Sequence, residues 1–158
     1  MTVPCSHMRC LVKTVACGLA WIMAACGELP TAPATPFRVL TFGFFSQINE
    51  TTAVVARGPA DWEALLGRVS PGEPPAAVEF SSEMAVLVSA GTRPSGGYRV
   101  RVEGVSRRGQ TLEVAAVEET PGRCGAPTVL TQPFEIIAVP RGGLVVVIAW
   151  SKRTALGC

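Results

Sequence analysis

The sequence predicts an α+β domain that is mainly antiparallel β-sheet, either a small sandwich or an open barrel, with one short helix. From residue 37 onward, short apolar or alternating segments follow one another, separated by turns rich in Gly and Pro. Only one segment, at about residues 59–68, carries helix signals. The 158 residues are 48% hydrophobic, which is enough apolar material for one core of ordinary size.

The N-terminus has the pattern of an export signal. Two basic residues precede an apolar run of 12 residues, Thr14 to Ala25, which is too short to span a bilayer. The run ends in Met-Ala-Ala followed by Cys26, which resembles a bacterial lipobox, where the cysteine is lipidated. An ordinary cleaved signal or a short anchor, with Cys26 incidental, is the alternative. Translation can start at Met1 or at Met8.

These features divide the chain into three predicted parts. Residues 1–25 are a lipoprotein signal peptide, residues 26–36 are a flexible Pro-containing tether, and residues 37–158 are the β-rich domain. We therefore expect a lipid-anchored protein of the bacterial cell envelope. Gly27, rather than Asp, follows the lipidated position, which favours the outer membrane where the organism has one.

The charge balance excludes some classes of partner. Arg9 and Lys13 are the only charged residues before Cys26, and 12 basic and 12 acidic residues remain without them. A neutral chain argues against binding to nucleic acid and against a polybasic membrane surface. Contact with a membrane is therefore expected through the lipid anchor only.

Three of the six cysteines remain once the signal is removed: Cys26, Cys124 and Cys158. In an exported protein, Cys124 and Cys158 most simply form a disulfide. A loop of that length would stabilise the fold by about 3 to 4 kcal/mol. Two free thiols, or an intermolecular bridge through Cys158, are the alternatives. Two cysteines without a histidine are a poor ligand set, so no metal site is predicted.

The strand segments differ in their apolar pattern. Residues 83–90 and 144–150 are continuously apolar, which is typical of central strands buried on both faces. Residues 98–103 alternate and predict a half-exposed antiparallel strand, followed by a hairpin turn at 106–110. The predicted strand segments, in chain order, are 37–45, 50–57, 83–90, 98–103, 112–116, 134–139 and 144–150.

The predicted helix lies between the second and third strand segments. Pro59 is near its first position, and Asp61 falls in the first turn, where a carboxylate is favourable. Trp62 shares an apolar face with two leucines and is expected to anchor the helix on the core. Gly67 and a downstream proline end the helix.

Candidate catalytic residues are scarce. The only histidine, His7, lies in the signal, so the commonest general base and any Ser-His or Cys-His arrangement are missing from the mature chain. Glu118 and Glu119 are adjacent on a strand and face opposite sides, so we expect a solvated edge rather than a catalytic pair. The sequence predicts no catalytic residue, no cofactor and no enzymatic activity.

One loop, GTRPSGGY at residues 91–98, has a special composition. Pro94 fixes a backbone torsion, while Gly96 and Gly97 permit a positive φ. Its successive amides could form a small anion-binding concavity. The alternative is a rigid connection in which Tyr98 packs at the start of the next strand. The predicted partner-binding residues are Arg93, Pro94, Ser95, Gly96, Gly97 and Tyr98.

The segment FSSEMAVLVSAGTRPSGGYRVRV, residues 80–102, resembles the central signature of the PrcB-like family. That family is named for an accessory subunit of a bacterial surface protease complex. The similarity extends to residues 46–69 and 121–141, and the closing Cys158 also fits. The resemblance implies a PrcB-like domain at residues 37–158. It also implies a protein-binding role, as an accessory subunit of a secreted or surface protease.

The motif PSGGY, residues 94–98, is also similar to the Asn-Pro-Thr-Thr-Gly-Tyr loop of chagasin-type cysteine-peptidase inhibitors. In this chain Thr92 and Arg93 replace the Asn. This short match implies the alternative function, a peptidase inhibitor that acts through the loop.

Overall fold

The computed structural model describes residues 33–123 and 125–155. Within them the chain forms nine strands and one helix. In chain order these are β1 (Arg38–Gly43), β2 (Phe45–Ser46), β3 (Thr52–Ala56), α1 (Pro59–Leu66), β4 (Val69–Ser70), β5 (Glu83–Ser89), β6 (Arg99–Arg108), β7 (Thr111–Thr120), β8 (Phe134–Pro140) and β9 (Val145–Thr154).

The strands form two main sheets and a short ribbon. The four-stranded sheet has the order β1-β8-β5-β3, with every neighbouring pair antiparallel. In the three-stranded sheet, of order β6-β7-β9, β6 is antiparallel to β7 and β9 is parallel to it. β2 and β4 form the ribbon. The prediction of a mainly antiparallel α+β fold is confirmed, and of its two alternatives the described residues form a sandwich.

The main core lies between the two sheets. Met84, Val86 and Val88 of β5 point into it from the four-stranded sheet, together with residues of β8. Leu112 and Val114 of β7, together with residues of β6, meet them from the three-stranded sheet. This alternation buries one face of each sheet, which is the usual origin of a sandwich core.

The opposite face of the four-stranded sheet is also covered. Leu87 of β5 and Ile136 of β8 are fully buried there, and Leu65 of α1 packs against them. Trp62 is half-buried on the same cluster, as the predicted anchor of the helix. β5 is therefore buried on both faces, which confirms the prediction from its continuous apolar sequence.

The helix α1 ends two residues before the predicted limit. Pro59 occupies its first turn, and Gly67 ends it by donating its N–H to the carbonyl of Glu63 at 2.9 Å. The Asp61 carboxylate accepts the N–H of Arg57 at 2.9 Å and so ties the preceding segment to the first turn. None of the helical segments in the described part of the chain has the length and apolar character to cross a bilayer.

The prediction of a central strand at residues 144–150 is wrong. β9 is an edge strand whose one neighbour in the sheet is β7, and Val145 and Val147 are exposed. Val146 and Ile148 alternate with them and pack on the core. The sequence hid this alternation because valines occupy both faces of the strand.

The chain reaches β1 by passing the free edge of β6. Ala34 forms an antiparallel bridge with Ser106, and the N–H of Thr35 donates to the carbonyl of Val105 at 2.7 Å. These contacts lie near the hairpin that joins β6 to β7, where Gly109 has a φ of +58°. The hairpin predicted at residues 106–110 is present, but its turn is shorter than predicted, because β6 continues to Arg108 and β7 begins at Thr111.

We predict that Leu87→Ala lowers the free energy of unfolding by about 3 kcal/mol, because it leaves a cavity in a close-packed layer. Leu130→Ala is the matched control, since Leu130 is exposed, and should change stability by about 0.5 kcal/mol or less. Urea unfolding of the full-length chain measures both. Equal effects of the two substitutions would contradict the assignment of this layer as core.

Candidate functional site

The loop at residues 91–98 carries the chain from β5 in one sheet to β6 in the other. Gly91 has a φ of +77°, and a Cβ there would lie 2.7 Å from the carbonyl oxygen of Asn49. Gly97 has a φ of +80°, and a Cβ there would lie 2.9 Å from the Cβ of Pro121. Both positions therefore require glycine, for conformation and for space.

Backbone and hydroxyl hydrogen bonds hold this loop against the segment that leads into β8. Arg93 and Thr131 pair in both directions, with N···O distances of 2.7 and 3.1 Å. The Thr131 hydroxyl donates to the carbonyl of Ser95 at 2.9 Å, and the N–H of Gly96 donates to the carbonyl of Pro127 at 2.9 Å. The loop is thus a rigid connection, as one of the two sequence interpretations expected.

The anion-binding concavity that the loop sequence allowed lacks several of its donors. The N–H of Gly91 donates to the Ser89 hydroxyl at 3.1 Å, and that of Thr92 donates to the carbonyl of Asn49 at 3.1 Å. The amides of Arg93 and Gly96 are also engaged within the protein. A nest needs successive free amides, which these bonds interrupt.

A buried ion pair fixes the base of the loop. The Arg93 guanidinium donates two hydrogen bonds to the Glu118 carboxylate, from Nε to Oε1 and, at 2.9 Å, from Nη2 to Oε2. The two side chains are only 18% and 3% exposed. Lys152 adds a second cation, with its Nζ 3.3 Å from Oε2 of the same carboxylate. The hydrogen bonds from Arg93 hold the pKa of Glu118 below its usual value.

This ion pair overturns one expectation. Glu118 is not on a solvated edge, because its side chain points to Arg93 and is buried. Glu119 faces the other side of the strand, as expected, and is bonded by Arg153 at 2.6 Å. Sequence spacing gave no signal for either partner, since both pairings depend on the tertiary fold.

The six predicted partner-binding residues differ in their accessibility. The guanidinium of Arg93 is committed to Glu118 and so serves to position the loop. The Tyr98 side chain is placed differently, on the wall of a surface groove. Pro94 and Gly97 are exposed, Arg93, Ser95 and Tyr98 are half-buried, and Gly96 is buried.

The groove beside the loop has a volume of about 420 Å³. Phe44, which follows β1, and Phe45, the first residue of β2, line it together with Tyr98 and Val129. Phe45 and Val129 are exposed, and Leu130 next to Val129 is exposed as well. Sequence alone did not connect these aromatic residues with the loop, because they lie about fifty positions before it. We call this surface the loop groove; it is lined by Phe44, Phe45, Gly96, Gly97, Tyr98, Arg99, Glu119, Val129, Thr131 and Ala155.

An arginine lies at the rim of the loop groove against two aromatic rings. The guanidinium carbon of Arg99 is 5.3 Å from the ring centroid of Phe42 and 6.0 Å from that of Phe44. The two rings meet edge to face, with centroids 6.3 Å apart. These distances are in the range of cation–π attraction. Among the described residues no carboxylate lies within 4.0 Å of Arg99.

A family model described as PrcB C-terminal matches residues 84–140. Over these residues the chain is similar to the PrcB-like family. No curated protein and no solved structure is similar enough to count as a match.

The PrcB-like match runs from β5 through β8. It includes the whole loop, Glu118 of the ion pair, and Val129 of the loop groove. Phe44 and Phe45 lie outside the matched residues, although they form a wall of the same groove. The wider domain limits, residues 37–158, stay a prediction.

The PrcB-like segment also contains a buried carboxylate, Glu135 on β8. It accepts a hydrogen bond from the N–H of Val102, on the edge strand β6. Burial raises the pKa of Glu135, against the opposing effect of that hydrogen bond and of the nearby Arg101 and Arg99. The carboxylate lies in a small cavity of about 140 Å³ next to the loop groove. It satisfies a backbone donor at a sheet edge, and the sequence gave no signal for it.

The predicted cysteine sites lie elsewhere in the chain. Cys26, Cys124 and Cys158 are outside the described residues, so lipidation and the disulfide stay predictions. Within residues 33–123 and 125–155, no group of three or more His, Cys, Asp or Glu side chains could hold a metal ion.

We predict that Glu118→Gln lowers the free energy of unfolding by about 3 kcal/mol at pH 7, because Arg93 is left buried without its counter-ion. Glu118 has a lowered folded pKa, so its stabilisation is present above the unfolded value of about 4.3 and is lost as the pH falls through the folded pKa. The variant should lack this dependence. Urea unfolding across pH 2 to 7 measures it.

Glu113→Gln is the control for this substitution. Glu113 lies on the same strand, and its 3.9 Å contact with Arg108 is exposed. The control should change stability by about 0.5 kcal/mol or less. A Glu118→Gln variant as stable as this control would show that the ion pair does not hold the loop.

We predict the opposite pH dependence for Glu135. Its folded pKa is raised, so its stabilising contribution is largest below the unfolded value of about 4.3 and is lost as the pH rises through the folded pKa. Glu135→Gln keeps an acceptor for Val102 and removes the charge. The variant should be more stable than the wild type at pH 7, and the difference should shrink toward pH 4. A difference that is constant with pH would contradict this expectation.

Proposed function

We propose that this protein is a non-enzymatic, lipid-anchored protein of the cell envelope that binds a protein partner, as an accessory subunit of a secreted or surface protease. The family match supports the accessory role, since PrcB-like domains take their name from such a subunit. Cys26 is the proposed site of lipid attachment. The loop groove is the proposed docking surface.

The observation that carries the proposal is the exposed apolar surface at the loop groove. Phe45 is 49% exposed, Val129 is 43% exposed and Leu130 is 62% exposed. Exposed clusters of large apolar residues with a polar rim are typical of protein interfaces, where aromatic residues supply much of the binding energy. Tyr98 belongs to the same surface.

The rigidity of the loop favours binding as well. The ion pair of Arg93 with Glu118 and the pairing of Arg93 with Thr131 hold the loop in one conformation. A partner therefore meets a surface that is already ordered, and less conformational entropy is lost on binding.

The polar groups of the loop groove favour binding over catalysis. The Thr131 hydroxyl is directed to the carbonyl of Ser95, and the Glu119 carboxylate is bonded by Arg153. Within the described residues of the groove, therefore, neither group forms a pair of nucleophile and general base. The alternative function, a peptidase inhibitor acting through residues 94–98, stays a prediction.

We predict that replacing Phe45 and Val129 together by Ser weakens the capture of the partner at least about tenfold, because each buried aromatic or aliphatic anchor contributes 1 kcal/mol or more. The tagged full-length chain is expressed in its native membranes, cross-linked and purified, and the captured proteins are measured by mass spectrometry. The expected partner is a secreted or surface peptidase.

The matched control replaces Val145 and Val147 by Ser. These valines are similarly exposed but lie on β9, outside the loop groove. The control should capture the partner as the wild type does. Equal loss in both double variants would place the docking surface elsewhere, and capture of no protein by the wild type would overturn the proposed function. A peptidase that is captured active supports an accessory subunit, whereas stoichiometric loss of its activity supports the inhibitor.

A further inference from the structure

We propose that the loop groove binds an extended segment of the partner in which a large apolar side chain and a carboxylate side chain are two residues apart. The apolar side chain occupies the groove, and Arg99 binds the carboxylate. This inference rests on the proposed function and adds the chemistry by which the partner is recognised.

The first step of the argument is that Arg99 is available. Arg38, Arg93 and Arg153 donate hydrogen bonds to carboxylates, whereas Arg99 has no carboxylate within 4.0 Å among the described residues. Arg99 is half-buried as a residue, and its guanidinium lies over the rings of Phe42 and Phe44. Its charge is therefore held in one place with free N–H donors.

The second step is that the neighbouring carboxylates are already engaged. Glu119, on the wall of the loop groove, is bonded by Arg153 at 2.6 Å, and Arg153 also bonds Glu103 at 2.7 Å. Glu135, in the adjacent cavity, accepts the N–H of Val102. Of the two charged residues that line the loop groove, Glu119 is bonded by Arg153, whereas Arg99 has no carboxylate within 4.0 Å among the described residues, so the groove is complementary to an acidic group.

The third step is the spacing of the two parts. Phe44 and Arg99 both line the loop groove, and the guanidinium carbon of Arg99 is 6.0 Å from the Phe44 ring centroid, so an apolar side chain packed on Phe44 would lie beside the guanidinium. In an extended chain, side chains at positions i and i+2 point to the same side, about 6.5 to 7 Å apart. The volume of about 420 Å³ is in the range of sites that hold a few side chains.

The test uses three short peptides and the full-length chain labelled with ¹⁵N. The first peptide, acetyl-Glu-Ala-Phe-Ala-Glu-amide, offers the spacing in both chain directions. The second replaces both Glu by Gln, and the third replaces Phe by Ala. Amide shifts at Arg99 and Thr131 report on binding. We expect the first peptide to bind about tenfold tighter than the second, as one charge-assisted hydrogen bond allows, and the third to bind weakest.

Two variants locate the effect. Arg99→Gln should abolish the preference for the Glu peptide over the Gln peptide. Arg107→Gln is the matched control and should keep the preference, since Arg107 lies on the same strand and, among the described residues, its side chain donates to the carbonyl of Gly109. If Arg99→Gln does not fold, the salt dependence of the wild type replaces it, because only binding of the Glu peptide should weaken with added salt.

Two results would overturn the inference. Equal affinity of the wild type for the Glu and Gln peptides would show that the groove does not recognise a carboxylate. The absence of shifts with all three peptides would show that the groove does not bind such a segment. Either result leaves the proposed function to be judged on capture of a partner from native membranes. Conversely, a failed capture together with the expected peptide preference would reject the accessory role and keep the recognition chemistry.

Discussion

The buried ion pair between Arg93 and Glu118 is the interaction on which the functional surface depends. Glu118 lies on the central strand of the three-stranded sheet, while the backbone of Arg93 is paired with Thr131 just before β8 of the four-stranded sheet. The pair therefore joins both sheets at one end of the sandwich. Tyr98 and Val129, which both line the loop groove, are held in position by this junction. Removal of either residue would leave the charge of the other buried without a partner. The geometry of the surface is therefore coupled to the stability of the whole domain.

Local sequence was sufficient to predict the elements whose surroundings match their own pattern. Pro59 and Gly67 bound a helix, and the continuous apolar run of β5 became a strand covered on both sides. β9 has an equally apolar sequence and lies at an edge. Whether a second layer covers a strand is decided by the packing of distant segments, and an apolar run does not carry that information.

For the same reason, only part of the candidate site could be predicted from the sequence. The loop at residues 91–98 could be recognised from its Gly and Pro content, because those residues act on the backbone locally. Phe44 and Phe45 line the same groove from a distant part of the sequence, and the buried Glu118 is paired with Arg93. Long-range charge pairing turned a carboxylate expected in solvent into a structural one.

The chain segment before β1 and the loop groove lie near opposite ends of strand β6. Ala34 is fixed beside Ser106, near the hairpin end of β6, whereas Arg99 and the loop groove are at the start of the same strand. Seven residues of extended chain separate these ends, a distance of about 23 Å. The described chain therefore enters the domain beside one end of β6, and a partner in the loop groove would dock at the opposite end of that strand.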